Sequence, residues 1–532
     1  LFKSSDFGET WAQIAPDLPL GDPDLGVTAL AFDPFAEVAA GSPTPLLAAI
    51  HGQGVFRSID GGQSWTFLDG GPIRVFRLKA GPGGRVFASA RRGLFRYQNG
   101  GWDDASPQEA AQIIAVTLDP SEPGTVIAAL GGSAFNQPIF LSRDWGETWR
   151  EYTTKNGRIS LRSLVPWLNS RHFGGAIADL AVDPHRPGRL WLADWMGVWI
   201  ANNYAAKRMT WRSFETGREE MVAMSLMTPP IGAPLFTGTV DTNGFRHSRV
   251  DQYPLRQLSD VGIWNSFGFD FHERNPALMV RVGTRGPHDE TAGGTGGFST
   301  DNGRTWKAFS WEGPPPMKIA YSAEDPKRLV ALGLGGTPQW SADLGQTWRK
   351  AEGVEATPIE TYWHWDHPLA ADRVDGEAFY LHAADQFWVS RNGGKSFDPK
   401  GFMQSGGRVF VEAEPGAPGT AWVSLDHRGL HVTRDYGQTF ATVRQIDRSL
   451  LFSLGVPEPG SAEPTLFVYG QLQGQSRLGL YRSTDGGRSW IDIGDPAQPV
   501  GNEPTVMRGD RQVFGRVFVG TNGRGVFVGT PR

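Results

Sequence analysis

Carboxyl side chains recur at a fixed place in a short pattern, Ser/Thr-x-Asp-x-Gly-x-Ser/Thr-Trp, which we call the Asp box. Such groups could serve as acids or bases. Eight copies or near copies run from Ser4 to Trp11, Ser58 to Trp65, Ser142 to Trp149, Ser299 to Trp306, Ser341 to Trp348, Ser390 to Phe397, Thr433 to Phe440 and Ser483 to Trp490. In this pattern Gly allows positive φ, Asp and Ser bond to backbone amides, and Trp packs under the turn. We therefore predict that these residues hold hairpin turns and that none of them is catalytic.

Three other carboxyl groups break this pattern. Asp241 follows an apolar strand and precedes Gly244, Asp194 ends an apolar segment with two tryptophans nearby, and Asp366 lies in Tyr362-Trp-His-Trp-Asp-His. An apolar pocket would raise the pKa of such a group and suit it to acid catalysis. The alternative for Asp241 and Asp194 is a structural turn residue after a buried strand.

The elements that position these groups are short strands in a repeated array. Where neighbouring Asp boxes are unbroken, they recur about every 42 to 54 residues, a period typical of propellers and solenoids. Apolar strands ending in Asp-Pro or Asn-Pro form a second repeated landmark, and together the two patterns give about eleven units. Since one ring usually holds four to eight blades, we predict an all-β fold of tandem β-propellers. The Pro-rich segment at 228–234 is the predicted junction, giving an N-terminal propeller over 1–227, incomplete at its start, and a C-terminal propeller over 228–532.

Composition excludes several classes of function. The counts of 69 Gly, 38 Pro and 20 Trp suit many tight turns, and the zero Cys count excludes disulfides, thiol catalysis and zinc–thiolate sites. The net charge of −5 gives no basic stripe for nucleic acid, and no apolar run approaches 18 residues. We expect a monomer that binds neither nucleic acid nor membrane. Because Leu1 lies just before the first Asp box, we also expect the chain to begin inside a larger product.

Several ordered segments resemble glycoside hydrolase family 74. The segment from Gly217 to Leu235 is similar to the family's Gly-x-Glu-Glu stretch leading to Ser-Pro-Pro-x-Gly-Ala-Pro-Leu, and Val240 to His247 is similar to Gly-Asp-Ile-Gly-Gly-Phe-x-His. The segments 275–283, 297–301, 371–374, 379–380 and 515–525 continue the resemblance in order along the chain.

The resemblance implies an inverting endo-β-1,4-glucanase acting on xyloglucan. It implies two seven-bladed rings, with one carboxylate from each ring in a cleft between them, and secretion to the extracellular space or periplasm. Asp241 matches the family's general acid. Where the family has Asp-Ile-Gly-Gly, this chain has Asp241-Thr-Asn-Gly244, so the backbone after the acid is expected to differ. No strand matches the family's N-terminal Thr-Asp-Ile-Gly-Gly segment, so this chain alone is expected to lack the base, with Asp194 and Asp366 as substitutes.

Aromatic side chains outside the Asp boxes are candidates for sugar binding, because a pyranose presents C–H groups to a flat ring. Tyr362, Trp363 and Trp365 lie in a polar loop, Trp311 precedes Gly-Pro-Pro-Pro, and Trp264 follows a loop. We predict that these five residues form subsites; the alternative is rim or core packing.

No metal or other cofactor is expected, because His364 and His367 have no evident third ligand. Two further functions stay open. One is a non-catalytic propeller that binds a glycan or protein. The other is a sialidase, which would require an arginine cluster around a carboxylate and a Tyr nucleophile with a neighbouring Glu.

Overall fold

The computed structural model divides the chain into two compact units, Leu1–Glu219 and Glu220–Arg532. It describes every residue except 16, 17, 20, 23, 38, 110, 169–171, 215, 218, 219, 259, 260, 287–292, 356–358, 502 and 532. The extended elements in the described part are all short β-strands, as the turn-rich sequence predicts. Arg218 and Glu219, in the stretch that resembles Gly-x-Glu-Glu, lie outside the described residues.

Unit 1 contains one hairpin and four larger sheets. Its strands are β1 (Phe2–Lys3), β2 (Ala12–Gln13), β3 (Val27–Phe32), β4 (Leu46–Ile50), β5 (Gly54–Ser58), β6 (Thr66–Leu68), β7 (Val75–Gly81), β8 (Arg85–Ala90), β9 (Gly93–Gln98), β10 (Gly101–Asp104), β11 (Ile113–Leu118), β12 (Val126–Leu130), β13 (Ile139–Ser142), β14 (Arg150–Tyr152), β15 (Ile159–Arg162), β16 (Asp179–Val182), β17 (Leu190–Asp194), β18 (Gly197–Ala201) and β19 (Met209–Ser213).

The sheets of unit 1 are antiparallel meanders arranged as propeller blades. Strands β3–β6, β7–β10 and β11–β14 form three four-stranded sheets. Strands β15–β19 form a five-stranded sheet, in which β15 pairs parallel to β19. The inner strands pack in chain order, β3 against β7, β7 against β11 and β11 against β16. Since β3 is the first inner strand of this series, its side chains Leu30 and Phe32 are exposed.

Unit 2 contains seven groups of strands. Their bounds are β20 (Met221–Met227), β21 (Leu235–Thr239), β22 (Phe245–His247), β23 (Asn265–Phe271), β24 (Met279–Thr284), β25 (Gly294–Ser299), β26 (Lys307–Phe309), β27 (Pro316–Tyr321), β28 (Leu329–Gly333), β29 (Pro338–Ser341), β30 (Arg349–Lys350), β31 (Leu369–Ala371), β32 (Phe379–Ala383), β33 (Gln386–Ser390), β34 (Asp398–Phe402), β35 (Phe410–Ala413), β36 (Ala421–Ser424), β37 (Leu430–Thr433), β38 (Ala441–Thr442), β39 (Ile446–Gly455), β40 (Thr465–Leu472), β41 (Gly479–Ser483), β42 (Ile491–Asp492), β43 (Pro504–Gly509), β44 (Val517–Gly523) and β45 (Val526–Gly529).

These seven groups close into a ring. Five are four-stranded sheets (β23–β26, β27–β30, β31–β34, β35–β38 and β39–β42), and the first three and last three strands of the unit join through β20 and β44. Each inner strand packs on the next, and β43 packs on β20. Met221 pairs with Gly523, and Thr505 Oγ1 donates to the Ala223 carbonyl at 2.8 Å. Within the described residues, unit 2 is therefore a complete seven-bladed propeller.

The boundary between the units falls after residue 219 rather than after residue 227. The segment Met221–Met227 is the inner strand β20 of unit 2, and its side chains are mostly buried in that ring. The Pro-rich segment at 228–234 therefore connects β20 to β21 within one blade.

The Asp boxes form one hydrogen-bonded turn in all eight copies. In the second copy, Ser58 Oγ accepts the Gly62 amide at 2.8 Å, while Asp60 accepts the Ser64 amide at 2.9 Å and the Ser64 hydroxyl at 2.5 Å. In the sixth copy Asn392 Oδ1 likewise accepts the Ser396 amide at 3.0 Å, whereas Asn392 Nδ2 donates to the Ser396 hydroxyl at 2.8 Å. Hydrogen bonds from Thr148 hold the pKa of Asp144 down at about 2. The aspartates of the boxes therefore accept the turn hydrogen bonds that the pattern predicts, and the absence of a catalytic role stays a prediction.

Candidate functional site

Asp241 lies in the turn between β21 and β22 of unit 2, and this turn has an unusual backbone. The φ angles are +67° at Asp241, +65° at Asn243 and +92° at Gly244. Apart from Gly, the residues that adopt this left-handed region most readily include Asn and Asp. The replacement of Gly by Asn at position 243 therefore remains compatible with a left-handed turn after Asp241.

Hydrogen bonds from the next blade hold this turn. The Asp241 amide donates to Asn265 Oδ1 at 2.6 Å, and the Asn243 amide donates to the Trp264 carbonyl at 2.9 Å. Arg281 Nη1 donates to Asn243 Oδ1 at 2.7 Å, and Ser266 Oγ donates to the Asn243 carbonyl at 2.8 Å. Because both ends of the turn are fixed, the half-buried Asp241 side chain is carried on a rigid backbone.

Tyr362 lies close to this turn. Its ring packs edge-on against Phe267, with centroids 5.0 Å apart, and its hydroxyl accepts a hydrogen bond from Asn265 Nδ2. Burial raises the pKa of Tyr362, and the charge of Asp241 raises it further. The tyrosine is therefore a neutral hydroxyl, and Asn265 connects it to the backbone that carries the Asp241 carboxyl.

Trp363 and Trp365 follow Tyr362 in the same loop. Trp363 is 47% exposed, and its ring lies 5.4 Å from Tyr362 and 6.0 Å from Trp365. Trp365 is half-buried against the central hydrophobic cluster of unit 2. The structure thus brings together Asp241, Tyr362 and an exposed indole, three of the predicted site residues.

A buried polar cluster lies beneath this loop. Lys318 Nζ is 3.3 Å from the Phe267 carbonyl and 3.4 Å from His367 Nε2. Burial lowers the pKa of Lys318 to about 7 and raises the pKa of Asp366 to about 6. Burial also lowers the pKa of His364 to about 4, so its contact with Asp366 at 3.6 Å is not an ion pair at neutral pH.

The two remaining predicted aromatics have different environments. Trp264 lies next to Asn265, and its backbone supports the Asp241 turn. Trp311 is only 8% exposed; its indole N–H donates to the Pro314 carbonyl at 2.7 Å, and its ring packs 4.9 Å from Trp348. These contacts give Trp311 a packing role, the alternative raised by the sequence.

Asp194 is the last residue of β17 in unit 1, at the start of the turn to β18. Its carboxylate accepts backbone amides from Gly174 at 2.7 Å, Met196 at 3.0 Å and Gly197 at 3.1 Å. Burial nevertheless raises the pKa of Asp194 to about 6. The Asp194 carboxylate thus connects the β17–β18 turn to the backbone at residue 174. The exposed Trp195 is the next residue in the chain.

Asn265, Thr284 and Lys318 are site residues that the sequence analysis missed. Asn265 and Ser266 are a polar pair inside the apolar run from Ile263 to Phe267. A buried polar residue in such a run needs a hydrogen-bond partner, and that requirement was the available signal. In the described residues, no group of three or more His, Asp or Glu side chains is arranged to hold a metal ion.

Comparison with known proteins gives relatives over essentially the whole chain. No protein-family model matches. A xyloglucanase from Paenibacillus sp is 28% identical over 596 residues, covering 100% of this chain and 57% of the relative. Xyloglucanase Xgh74A from Acetivibrio thermocellus is 25% identical, covering 100% of this chain and 68% of the relative. The chain thus spans a little over half of the Paenibacillus protein.

The solved structures agree in fold. The GH74 xyloglucanase from Xanthomonas campestris is 25% identical, with a TM-score of 0.85 over 100% of this chain and 80% of that chain. Over its full length the chain is therefore similar to enzymes of glycoside hydrolase family 74. The GH74 enzyme from Niastella koreensis, at 24% identity, has the same fold, with a TM-score of 0.84 over 99% of this chain and 78% of that chain.

The relatives that match over the whole chain are named xyloglucanases, and this similarity favours a glycosidase over the non-catalytic binding protein. In the described residues, helices with the length and hydropathy needed to cross a bilayer are absent.

Proposed function

We propose that this protein hydrolyses the β-1,4-glucan backbone of xyloglucan with inversion, and that Asp241 is the general acid. The observation that carries the assignment is the Asp241 turn, which places a carboxyl outside the Asp boxes, on a rigid left-handed backbone, near Tyr362 and the Trp363 loop. The similar xyloglucanases from three bacterial genera support this substrate.

In this mechanism Asp241 protonates the glycosidic oxygen as the bond to the anomeric carbon breaks. A second carboxylate removes a proton from the attacking water, about 6.5–9.5 Å across the site, so the product is inverted. Trp363 offers an indole face for a pyranose ring, and Tyr362 supplies a neutral hydroxyl that Asn265 links to the Asp241 turn. The xyloglucan chain is thereby held with its glycosidic oxygen within hydrogen-bond reach of Asp241.

The test is the release of reducing ends from xyloglucan by the full-length protein and its Asp241→Asn variant. Asn keeps the left-handed preference of the turn but has no proton to donate, so kcat is expected to fall by about 100-fold or more. The matched control is Asp343→Asn, because Asn392 already serves in an equivalent Asp box. Full activity in Asp241→Asn would overturn the assignment.

Two half-buried carboxyl groups, those of Asp194 and Asp366, are the candidates for the general base. Asp194 and Asp366 both have pKa values raised to about 6, so both are mostly ionised at pH 7. Asp194→Asn and Asp366→Asn are assayed in the full-length protein and in the 532-residue chain. A variant that stays folded but loses about 100-fold in kcat identifies the base; two active variants place the base elsewhere.

Because a plant polysaccharide is too large to enter a cell intact, the proposed site of action is extracellular or periplasmic. Fractionation of producing cells tests this location. The proposed monomeric state is tested by light scattering coupled to size-exclusion chromatography, in which a mass of twice the chain mass would contradict it.

A further inference from the structure

We propose that Asn265 is a positioning residue that fixes the Asp241 carboxyl and couples it, through Tyr362, to the Trp363 loop. This inference rests on the proposed role of Asp241 as the general acid. The side chain of Asn265 connects the two parts of the site within unit 2, and it contacts the acid only through the backbone.

The orientation of the Asn265 amide is determined by its partners. The residue is 0% exposed, at the start of the inner strand β23. Because the Asp241 amide is a donor, the atom 2.6 Å from it must be the Asn265 oxygen. Nδ2 then faces the Tyr362 hydroxyl and Thr284 Oγ1, the latter at 3.2 Å. A rotation of the amide would break these contacts together, so the buried side chain has one favourable orientation.

The backbone contact matters because Asp241 is strained. A left-handed conformation is unfavourable for a residue with a Cβ, and Asp241 has a φ of +67°. The hydrogen bond from its amide to Asn265 helps to hold that conformation, which sets the direction of the Cα–Cβ bond. Without this bond the turn can relax, and the carboxyl moves away from the leaving oxygen.

The amide nitrogen of Asn265 links the Asp241 turn to the Trp363 loop. Asn265 Nδ2 donates to the Tyr362 hydroxyl, and the Tyr362 ring lies 5.4 Å from Trp363. A sugar stacked on Trp363 is therefore held in register with Asp241 through two buried side chains. Misplacement of a reacting group by about 1 Å can cost on the order of 100-fold in rate.

The experiment compares Asn265→Ala and Tyr362→Phe in the full-length protein on two substrates. One is xyloglucan, whose sugar leaving group needs a proton; the other is an aryl β-glucoside with a 2,4-dinitrophenolate leaving group, which does not. We expect Asn265→Ala to lower kcat on xyloglucan about 30- to 100-fold, with KM changed less than about threefold. On the aryl substrate the loss is expected to stay below about threefold. Tyr362→Phe should show the same pattern with a loss of about 5- to 10-fold.

Thr465→Val is the matched control, since it removes another buried hydrogen bond in the same ring, to the Val456 carbonyl, on a different blade from Asp241 and Asn265. It should not change the ratio of the two activities. The inference is overturned if Asn265→Ala lowers kcat equally on both substrates, or if kcat is unchanged. If Asn265→Ala does not fold, Tyr362→Phe decides by the same ratio, and unchanged kinetics in that variant overturn the coupling.

A crystal structure of Asn265→Ala separates this inference from the proposed function. The inference predicts that φ at Asp241 leaves the left-handed region, and an unchanged turn contradicts it whatever the activity. A wild-type protein that does not cleave xyloglucan would instead refute the proposed function.

Discussion

The Arg373 guanidinium lies 2.9 Å from the Asp270 carboxylate. Asp270 is in β23, whereas Arg373 follows β31, so a third blade of unit 2 separates the blades of the two residues. Asp270 also accepts the amide of Tyr321, on that intervening blade, at 2.8 Å. One buried carboxylate thus binds three consecutive blades. The same end of the ring has a cavity of about 420 Å³, including space open to solvent, whose lining includes Arg373 and Arg508.

Removing this carboxylate should destabilise unit 2. Breaking a buried ion pair leaves the partner charge uncompensated, so Asp270→Ala is expected to lower the free energy of unfolding by about 3–5 kcal/mol. Chemical denaturation followed by tryptophan fluorescence measures the change. The matched control is Arg249→Ala, which breaks the exposed Arg249–Asp251 pair and should lower the free energy of unfolding much less, because water screens an exposed pair. Equal effects of the two variants would contradict the prediction.

Asp boxes should tolerate amide substitution but not loss of the side chain. Asp343→Ala removes the acceptor of the Thr347 amide and hydroxyl and is expected to cost about 1–2 kcal/mol of stability. Asp343→Asn should cost less than about 0.5 kcal/mol, because an amide can make the same two contacts. Thermal unfolding measures both variants, and an equally large loss in Asp343→Asn would contradict the explanation.

Stability should depend on pH through Lys318. Burial lowers the pKa of Lys318 to about 7, whereas an unfolded lysine titrates near 10.4. Between these values the folded protein binds fewer protons than the unfolded chain, so the free energy of unfolding rises with pH. Lys318→Met should flatten this rise between pH 7 and pH 10, by on the order of 3 kcal/mol. If the free energy of unfolding changed with pH in the same way in the wild-type protein and in Lys318→Met, a lowered pKa of Lys318 would be excluded.

Trp363 and Trp311 should differ in how their removal acts. Trp363→Ala removes an exposed indole and is expected to raise KM for xyloglucan about tenfold, equivalent to about 1.4 kcal/mol, with little loss of stability. Trp311→Ala empties a packed site beside Trp348 and is expected to cost about 3–5 kcal/mol of stability, with KM unchanged. Steady-state kinetics and thermal unfolding separate the effects; a KM effect in Trp311→Ala would restore its predicted subsite role.

The sequence predicts the features that depend on local spacing. Each Asp box closes its hydrogen bonds within four residues, so the pattern alone indicates the turn. Asp241 stands out for the opposite reason, because it follows an apolar strand without that pattern. Its partner Asn265 is 24 residues away, and Arg373 is 103 residues from Asp270, so neither contact has a local signal. Trp311 seemed suited to an exposed loop because three prolines follow it, whereas the folded chain packs it on Trp348 from the next blade.

The pairing of β20 with β44 also determines when unit 2 can finish folding. Ala223 and Thr505, which meet at this closure, are 282 residues apart. During synthesis the strand around Met221 leaves the ribosome long before its partner, and its unpaired edge must wait for nearly the whole unit. The closing contact has a very large sequence separation, which favours slow completion of the ring. The final strands thus complete the ring last during co-translational folding. The intermediate in which β20 is still unpaired is the species most exposed to aggregation.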